Sequence, residues 1–306
     1  MTEQISTVQE YFDQLAVAFA SSDPAIAQDA TYDAQEFLAG ERQTLEAESG
    51  SPADEAELLA RLLRGFGEPG EVVESYRTTE AQVAAALASP SPSPAETSLG
   101  KLFGVFADPL SYGALFFMLL SLPLGILSFT WAVTGVSLSL GLGILIFGFF
   151  FFLFFISTVR AVSLVECRIV ESLLGERMPR RPPMISPGGS WIERVKFWIT
   201  DKRTWLTILY MVLRLPLGVF YFVIAVVFLS FALSLIAAPF VQLFFDYPIV
   251  NFFGESYFMP FWFFPLFWIA GAFDLLILMH IARGIGRFHA TMAKSMLARP
   301  GVAAAS

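Results

Sequence analysis

Four apolar runs, near residues 112–134, 136–158, 205–235 and 258–282, decide most of what this chain can fold into. A helix rises about 1.5 Å per residue, so each run is long enough to cross a hydrocarbon layer of roughly 30 Å. Inside that layer no water satisfies backbone N–H and C=O groups, whereas a helix satisfies its own. The expected fold class is therefore all-α. A small helical bundle over residues 1–88 is joined by a linker, 89–100, to a four-helix transmembrane domain over 101–300.

Two stretches 93 residues apart carry one pattern. The first runs from Asp108 to Leu122-Pro123-Leu124-Gly125, the second from Asp201 to Leu215-Pro216-Leu217-Gly218. Met118 and Met211 keep the register, as do Phe129 and Phe222. Past the second crossing of each pair the agreement resumes at an offset of 123: Arg160 with Arg283, Glu166 with His289, Ser172 with Ser295. The domain thus reads as two repeated hairpins. Each contains two crossings, so the copies are expected to point the same way. A turn is expected around Gly135, and the extra outer segment near 238–260 is the natural ligand-facing element.

Charge divides the chain as sharply as hydropathy does. Residues 1–100 hold eighteen Asp and Glu against four Lys and Arg, a net of −14; the rest holds fifteen basic against nine acidic residues, a net of +6. An acidic bundle repels phosphate, so direct nucleic-acid binding is not expected. The single Cys167 cannot form an internal disulfide or a Cys-rich metal site. The first residues hold no apolar signal region, so export through a cleaved signal is not expected.

Helical spacing organises the bundle. Val8, Tyr11, Phe12, Leu15 and Phe19 make one stripe, and Ser22-Asp23-Pro24 supplies a cap and a first-turn proline for a second helix. Ile26, Tyr32, Phe37, Leu38 and Leu45 are its expected inward residues. A third helix carries Leu58, Leu59, Leu62, Leu63 and Phe66, and a fourth carries Val72, Val73, Tyr76 and Val83. The opening Tyr11-Phe12-Asp13-Gln14-Leu15 and the closing Leu62-Leu63-Arg64-Gly65-Phe66-Gly67-Glu68-Pro69 resemble the HAAS domain. That is a helical signalling domain associated with PadR-type regulators, and the resemblance implies a cytoplasmic regulator of that type as partner. Ser89-Pro90-Ser91-Pro92-Ser93-Pro94 then reads as a semi-rigid extended spacer.

Basic residues orient the membrane part. Residues 159–204 hold nine, among them Arg177, Arg180, Arg181, Lys202 and Arg203, and the tail adds Arg283, Arg287, Lys294 and Arg299. The connection between the last two crossings has Asp246, Asn251 and Glu255 but no Lys or Arg. Both termini and the central connection are therefore expected in the cytoplasm of a bacterial-type inner membrane. Asp201-Lys202-Arg203-Thr204-Trp205 with Leu213-Arg214-Leu215-Pro216-Leu217-Gly218, and Val165-Glu166-Cys167-Arg168 leading to Leu173-Leu174-Gly175, resemble the "Putative sensor" domain. That four-crossing module opens many bacterial histidine kinases. No phosphoacceptor helix or Gly-rich ATP lid follows here, so a received signal is expected to leave through the bundle or another protein.

Within the crossings, Arg214 and Asp274 are the ionisable residues expected near mid-membrane, and an unpaired charge there costs about 2.5–3.5 kcal/mol on insertion scales. Arg214 with Asp274 is the expected intramembrane ion pair. Pro123 and Pro216 each free a carbonyl and are candidate hinges. The run Phe149–Phe155 reads as lipid-facing or packing surface. Tyr247, Tyr257, Trp262, Trp198 and Trp205 read as interfacial anchors. Val162, Val165, Ile169 and Leu173 form one interfacial stripe and Trp191, Val195 and Trp198 another, suited to an anionic leaflet or to the acidic bundle. His280 and His289 alone are too few for a metal site, and no catalytic or cofactor-binding motif is present. The expected function is a membrane sensor that passes an envelope signal to a cytoplasmic regulator, in contact with membrane lipids and possible as a homo-oligomer. The alternative is an accessory or permease-like subunit of a transport complex, and neither reading is enzymatic.

Overall fold

The computed structural model describes residues 5–87, 102–142, 146–181, 200–253 and 255–298. The Ser-Pro spacer, Trp191, Arg194, Val195, Lys196, Trp198 and Arg299 lie outside the described residues.

The bundle consists of α1 (Val8–Ala18), α2 (Pro24–Ser49), α3 (Glu55–Gly65) and α4 (Pro69–Leu87). Caps fix its corners: the Glu10 N–H donates to Thr7 Oγ1 at 3.1 Å, and the Ala25 N–H donates to Asp23 Oδ1 at 2.9 Å. Gly50 ends α2 at a φ of 65°, a left-handed conformation that costs glycine nothing. Tyr11, Leu15, Phe19, Leu38, Leu45, Leu58, Leu62, Val72 and Val73 close into one apolar core. The Tyr11 hydroxyl donates to the Gly67 carbonyl at 2.8 Å, and burial pushes its phenol up to about 12. Ile26 and Phe37 pack against this core as expected. Tyr32 does not; its ring lies beneath the Arg181 guanidinium, 5.4 Å from ring centre to Cζ.

Among the described residues, four helices are long and apolar enough to cross a membrane. They are α5 (Pro109–Gly141), α6 (Ile146–Leu174), α7 (Lys202–Phe245) and α8 (Phe264–Leu297). The chain is a multi-pass membrane protein. Between α7 and α8 the connecting segment folds into a small antiparallel hairpin, β1 (Val250–Phe252) on β2 (Glu255–Tyr257), with Val250 opposite Tyr257. Phe150, Phe154, Phe220, Val223, Val227 and Phe231 are exposed on the helix surfaces, while Phe155 is buried. Tyr247, Tyr257, Trp262 and Trp205 are exposed, as interfacial rings are.

Helix ends depart from the expected boundaries for identifiable reasons. No turn occurs at Gly135; α5 continues six residues further, to Gly141. A Cβ at Gly135 would stand 2.0 Å from the Phe155 ring, so this glycine is there for close packing. The stripe Val162–Leu173 is the continuation of α6, not a separate interfacial helix. Pro123 and Pro216 lie inside uninterrupted helices, as does Pro239.

The two hairpins are not oriented alike. Ala114 and Met118 pack with Tyr221 and Ala225, whereas Ala132 falls in a cluster with Ile208 and Met211. α5 and α7 are therefore antiparallel. α5 instead runs with α8: Val105 meets Leu276 and Met279, Asp108 pairs with Arg283, and Ala114 meets Gly286. The two Leu-Pro-Leu-Gly motifs meet in reciprocal contact. A Cβ on Gly125 would touch the Arg214 carbonyl and Leu215 Cα, and one on Gly218 would touch the Ser121 carbonyl and Leu122 N. Counting apolar runs gives the number of helices and not the direction in which each packs, so it misses this arrangement.

Candidate functional site

Three helices bring four polar side chains together in an apolar interior. Glu166 comes from α6, Tyr210 and Arg214 from α7, and His289 from α8; Glu166 is 6% exposed and the other three 1–2%. Tyr210 Oη donates to Glu166 Oε1 at 2.8 Å and lies 3.0 Å from His289 Nε2. The Arg214 guanidinium pairs with the same carboxylate oxygen, and His289 Nε2 lies 4.0 Å from it. Because the single phenolic proton goes to the carboxylate, the imidazole must donate its Nε2–H to Oη. That fixes the neutral tautomer and leaves Nδ1 as an acceptor. Nδ1 and Tyr221 Oη have no hydrogen-bond partner among the described residues.

Aromatic rings enclose the group. The Phe117 ring centre lies 4.7 Å from that of His289, and the Tyr221 ring stands edge-on to the imidazole at 5.7 Å. Arg214 Cζ is 5.9 Å from the centre of Phe117. All four membrane helices thus converge on one carboxylate–guanidinium pair with a phenol and an imidazole. The apolar surroundings strengthen attraction within the pair and make any loss of a partner costly.

Arg214 is therefore paired with Glu166, and the expected Arg214–Asp274 pair is not formed. The error was one of depth. α8 continues past Arg283 to Leu297, so Asp274 lies 23 residues, about 35 Å, from that end. Arg214 lies only 12 residues, about 18 Å, from the start of α7. Asp274 is half-buried, and its Oδ2 has no hydrogen-bond partner among the described residues. The usable sequence signal was the register that aligns Glu166 with His289, the two residues that here stand within 4.0 Å. His280 takes no part; its Nδ1 donates to the Leu276 carbonyl at 2.9 Å. Among the described residues no three His, Cys, Asp or Glu side chains are grouped to hold a metal ion.

A second polar cluster lies where the bundle meets the membrane domain. After Gly175, at a φ of 73°, the chain leaves α6 without helical structure and lies on α2. The Arg180 and Arg181 N–H groups both donate to Asp29 Oδ1 at 2.8 Å, and Arg177 Nη2 donates to Asp29 Oδ2 at 2.9 Å. Burial pushes the Asp29 carboxyl above the ordinary carboxylate range, and those donors pull it back. Gln28 donates to the Arg181 carbonyl at 2.8 Å, Arg181 pairs with Asp33 at 3.1 Å, and Arg177 pairs with Glu80 at 2.8 Å. From α8, Lys294 reaches Asp23 at 2.5 Å and Glu176 at 2.6 Å.

The two clusters share their helices. α6 carries Glu166 in the buried group and Glu171, which binds Arg180 at 2.9 Å. α8 carries His289 and, five residues on, Lys294. A shift of either helix at the buried group must move its contact with the bundle.

No curated protein and no solved structure matches the chain. The family described as "Putative sensor" matches residues 117–297, a span that takes in the whole buried group and most of the four membrane helices. With more than half of its length matched, this chain belongs to that sensor family.

Proposed function

We propose that the protein is a membrane signal-transduction sensor in which the buried Glu166–Tyr210–Arg214–His289 group sets how the acidic bundle is held. The reading rests on one observation: the helices that supply Glu166 and His289 also supply Glu171, which binds Arg180 of the segment lying on the bundle, and Lys294, which binds Asp23 of the bundle. An envelope or lipid signal that repacks α6 against α7 and α8 would loosen the bundle, and the freed bundle would engage a cytoplasmic regulator. The HAAS resemblance of residues 5–80 names a PadR-type regulator as the partner class. Pro123 and Pro216, at the contact of the two Leu-Pro-Leu-Gly motifs, are the hinges of this reading. The basic residues gathered at the bundle contact support a cytoplasmic position for the bundle at an inner membrane.

The test is a distance measurement between spin labels on α3 and on the exposed face of α8, in the full chain in lipid nanodiscs. The resting protein is expected to give one narrow distribution. Glu166→Gln or His289→Ala should broaden it toward longer distances while helix content stays constant. A distribution that these substitutions leave narrow would refute the relay.

A further inference from the structure

We infer that the docking face of the bundle is a recognition site for an extended arginine-rich peptide segment. Residues Arg177–Arg181 occupy it in cis, and the regulator would present such a segment in trans. The inference rests on the relay reading for its biological partner, though not for the site itself.

The contacts are those of a peptide on a receptor. Asp29 Oδ1 takes two successive backbone N–H groups at 2.8 Å, from Arg180 and Arg181, and Gln28 returns a hydrogen bond to the Arg181 carbonyl at 2.8 Å. These three bonds read backbone alone, so any segment of the same conformation can make them. The flanking side chains supply selection. Arg177 spans Asp29 and Glu80, at 2.9 and 2.8 Å, and Arg181 joins Asp33 at 3.1 Å above the Tyr32 ring. Planar guanidinium groups suit a carboxylate pair and an aromatic face better than lysine does. Pro179 between the arginines holds the segment out of a helix. The bundle's side of the contact comes from α2 and α4, while Glu171 of α6 holds the Arg180 side chain, and Asp29 and Gln28 are 4% and 7% exposed beneath the segment. A bundle with net −14 over residues 1–100 repels phosphates, so the occupant is a basic protein segment and not a nucleic acid or an anionic leaflet. Joined in the same chain, the cis segment acts at a local concentration on the order of millimolar, and a trans segment gains access only as the relay loosens it.

The experiment uses the full chain in nanodiscs and a fluorescent nine-residue peptide of sequence 175–183, followed by anisotropy. The wild-type chain should bind it weakly. Arg177→Ala with Arg181→Ala, which removes the side-chain contacts of the cis segment and so weakens its hold, should bind it at least about tenfold more tightly. Adding Asp29→Asn to that variant should remove the gain, and a scrambled peptide of equal charge should not show it. Equal binding by wild-type and freed chains, or a gain indifferent to Asp29 or to scrambling, would overturn the site. A photo-crosslinking form of the peptide at millimolar concentration needs no substitution; it should label α2 near Asp29, and labelling confined elsewhere would also overturn the site. If the peptide binds as expected while the spin-label distances ignore Glu166 and His289, the site stands and the relay falls. The reverse pattern removes the site and leaves the relay.

Discussion

Glu166 accepts a phenolic proton and a guanidinium in a site closed on every side by rings and helices, so its charge has no recourse to water. Replacing it with Gln strands Arg214, and breaking a buried pair from one side costs about 3–5 kcal/mol. Arg214→Met should cost a similar amount, whereas Glu166→Leu with Arg214→Met should fall within about 1–2 kcal/mol of wild type, because two apolar side chains replace two desolvated charges. Thermal unfolding in detergent gives the cycle, and a double variant as unstable as the singles would refute the pairing. Asp274→Asn serves as the control. Asp274 is not paired with Arg214, so their substitutions should add without a coupling term beyond about 0.5 kcal/mol. Tyr210→Phe removes both the donor to Glu166 and the acceptor for His289, a loss of about 1–3 kcal/mol. At this scale the sequence revealed that a buried arginine needs a partner. It did not reveal which carboxylate, because helix ends fix depth and α8 runs fourteen residues past Arg283.

The glycines at the helix crossing separate packing from propensity. In a helix interior, Gly to Ala gains about 1 kcal/mol where space is open. A Cβ on Gly218 would come within 2.3 Å of the Ser121 carbonyl, and one on Gly125 within 2.8 Å of the Arg214 carbonyl. These are backbone atoms, so α5 and α7 must separate along their contact. Overpacking of this kind costs about 1–3 kcal/mol, enough to reverse the propensity gain. Gly284 in α8 has nothing within 4 Å of its ideal Cβ. Gly218→Ala is therefore expected to lower the melting temperature and Gly284→Ala to hold or raise it; a shift of the same sign in both would refute the close crossing. The Leu-Pro-Leu-Gly motif announced a repeated element in the sequence, and the lengths of the apolar runs announced four helices. Their antiparallel pairing left no such mark, since a 3.6-residue period is the same in either direction. Gly135 misled for a related reason: a glycine required by a neighbouring ring reads in sequence like a glycine required by a turn.

Across the whole molecule, charge complementarity holds two parts of opposite character together. The halves of opposite net charge were legible at once, and the meeting of acidic bundle and basic connection follows from them. The residues that meet were not legible, because the contact depends on two backbone N–H groups that every residue except proline carries. Those bonds make the contact measurable. Arg177 and Arg180 are cleavage sites for trypsin, and while the segment lies on α2 its backbone is held by Asp29 and Gln28. Cleavage then requires the segment to lift, and its rate follows the lifted population when lifting is fast relative to cutting. Asp29→Asn removes the charge from three hydrogen bonds, each of the charge-assisted class that contributes about 1.5–3 kcal/mol when fully formed and less where solvent screens it. A net loss of about 2 kcal/mol raises the lifted fraction roughly thirtyfold. Lys294→Ala, which releases Asp23 from the other side, should act in the same direction through a partly exposed pair and so by a smaller factor. Digestion of the nanodisc-embedded chain, read by mass spectrometry at the 177 and 180 sites, should rank Asp29→Asn above Lys294→Ala above wild type. If all three were cut at one rate, the bundle would not be held by this contact, and the helices carrying Glu166 and His289 would have nothing to release.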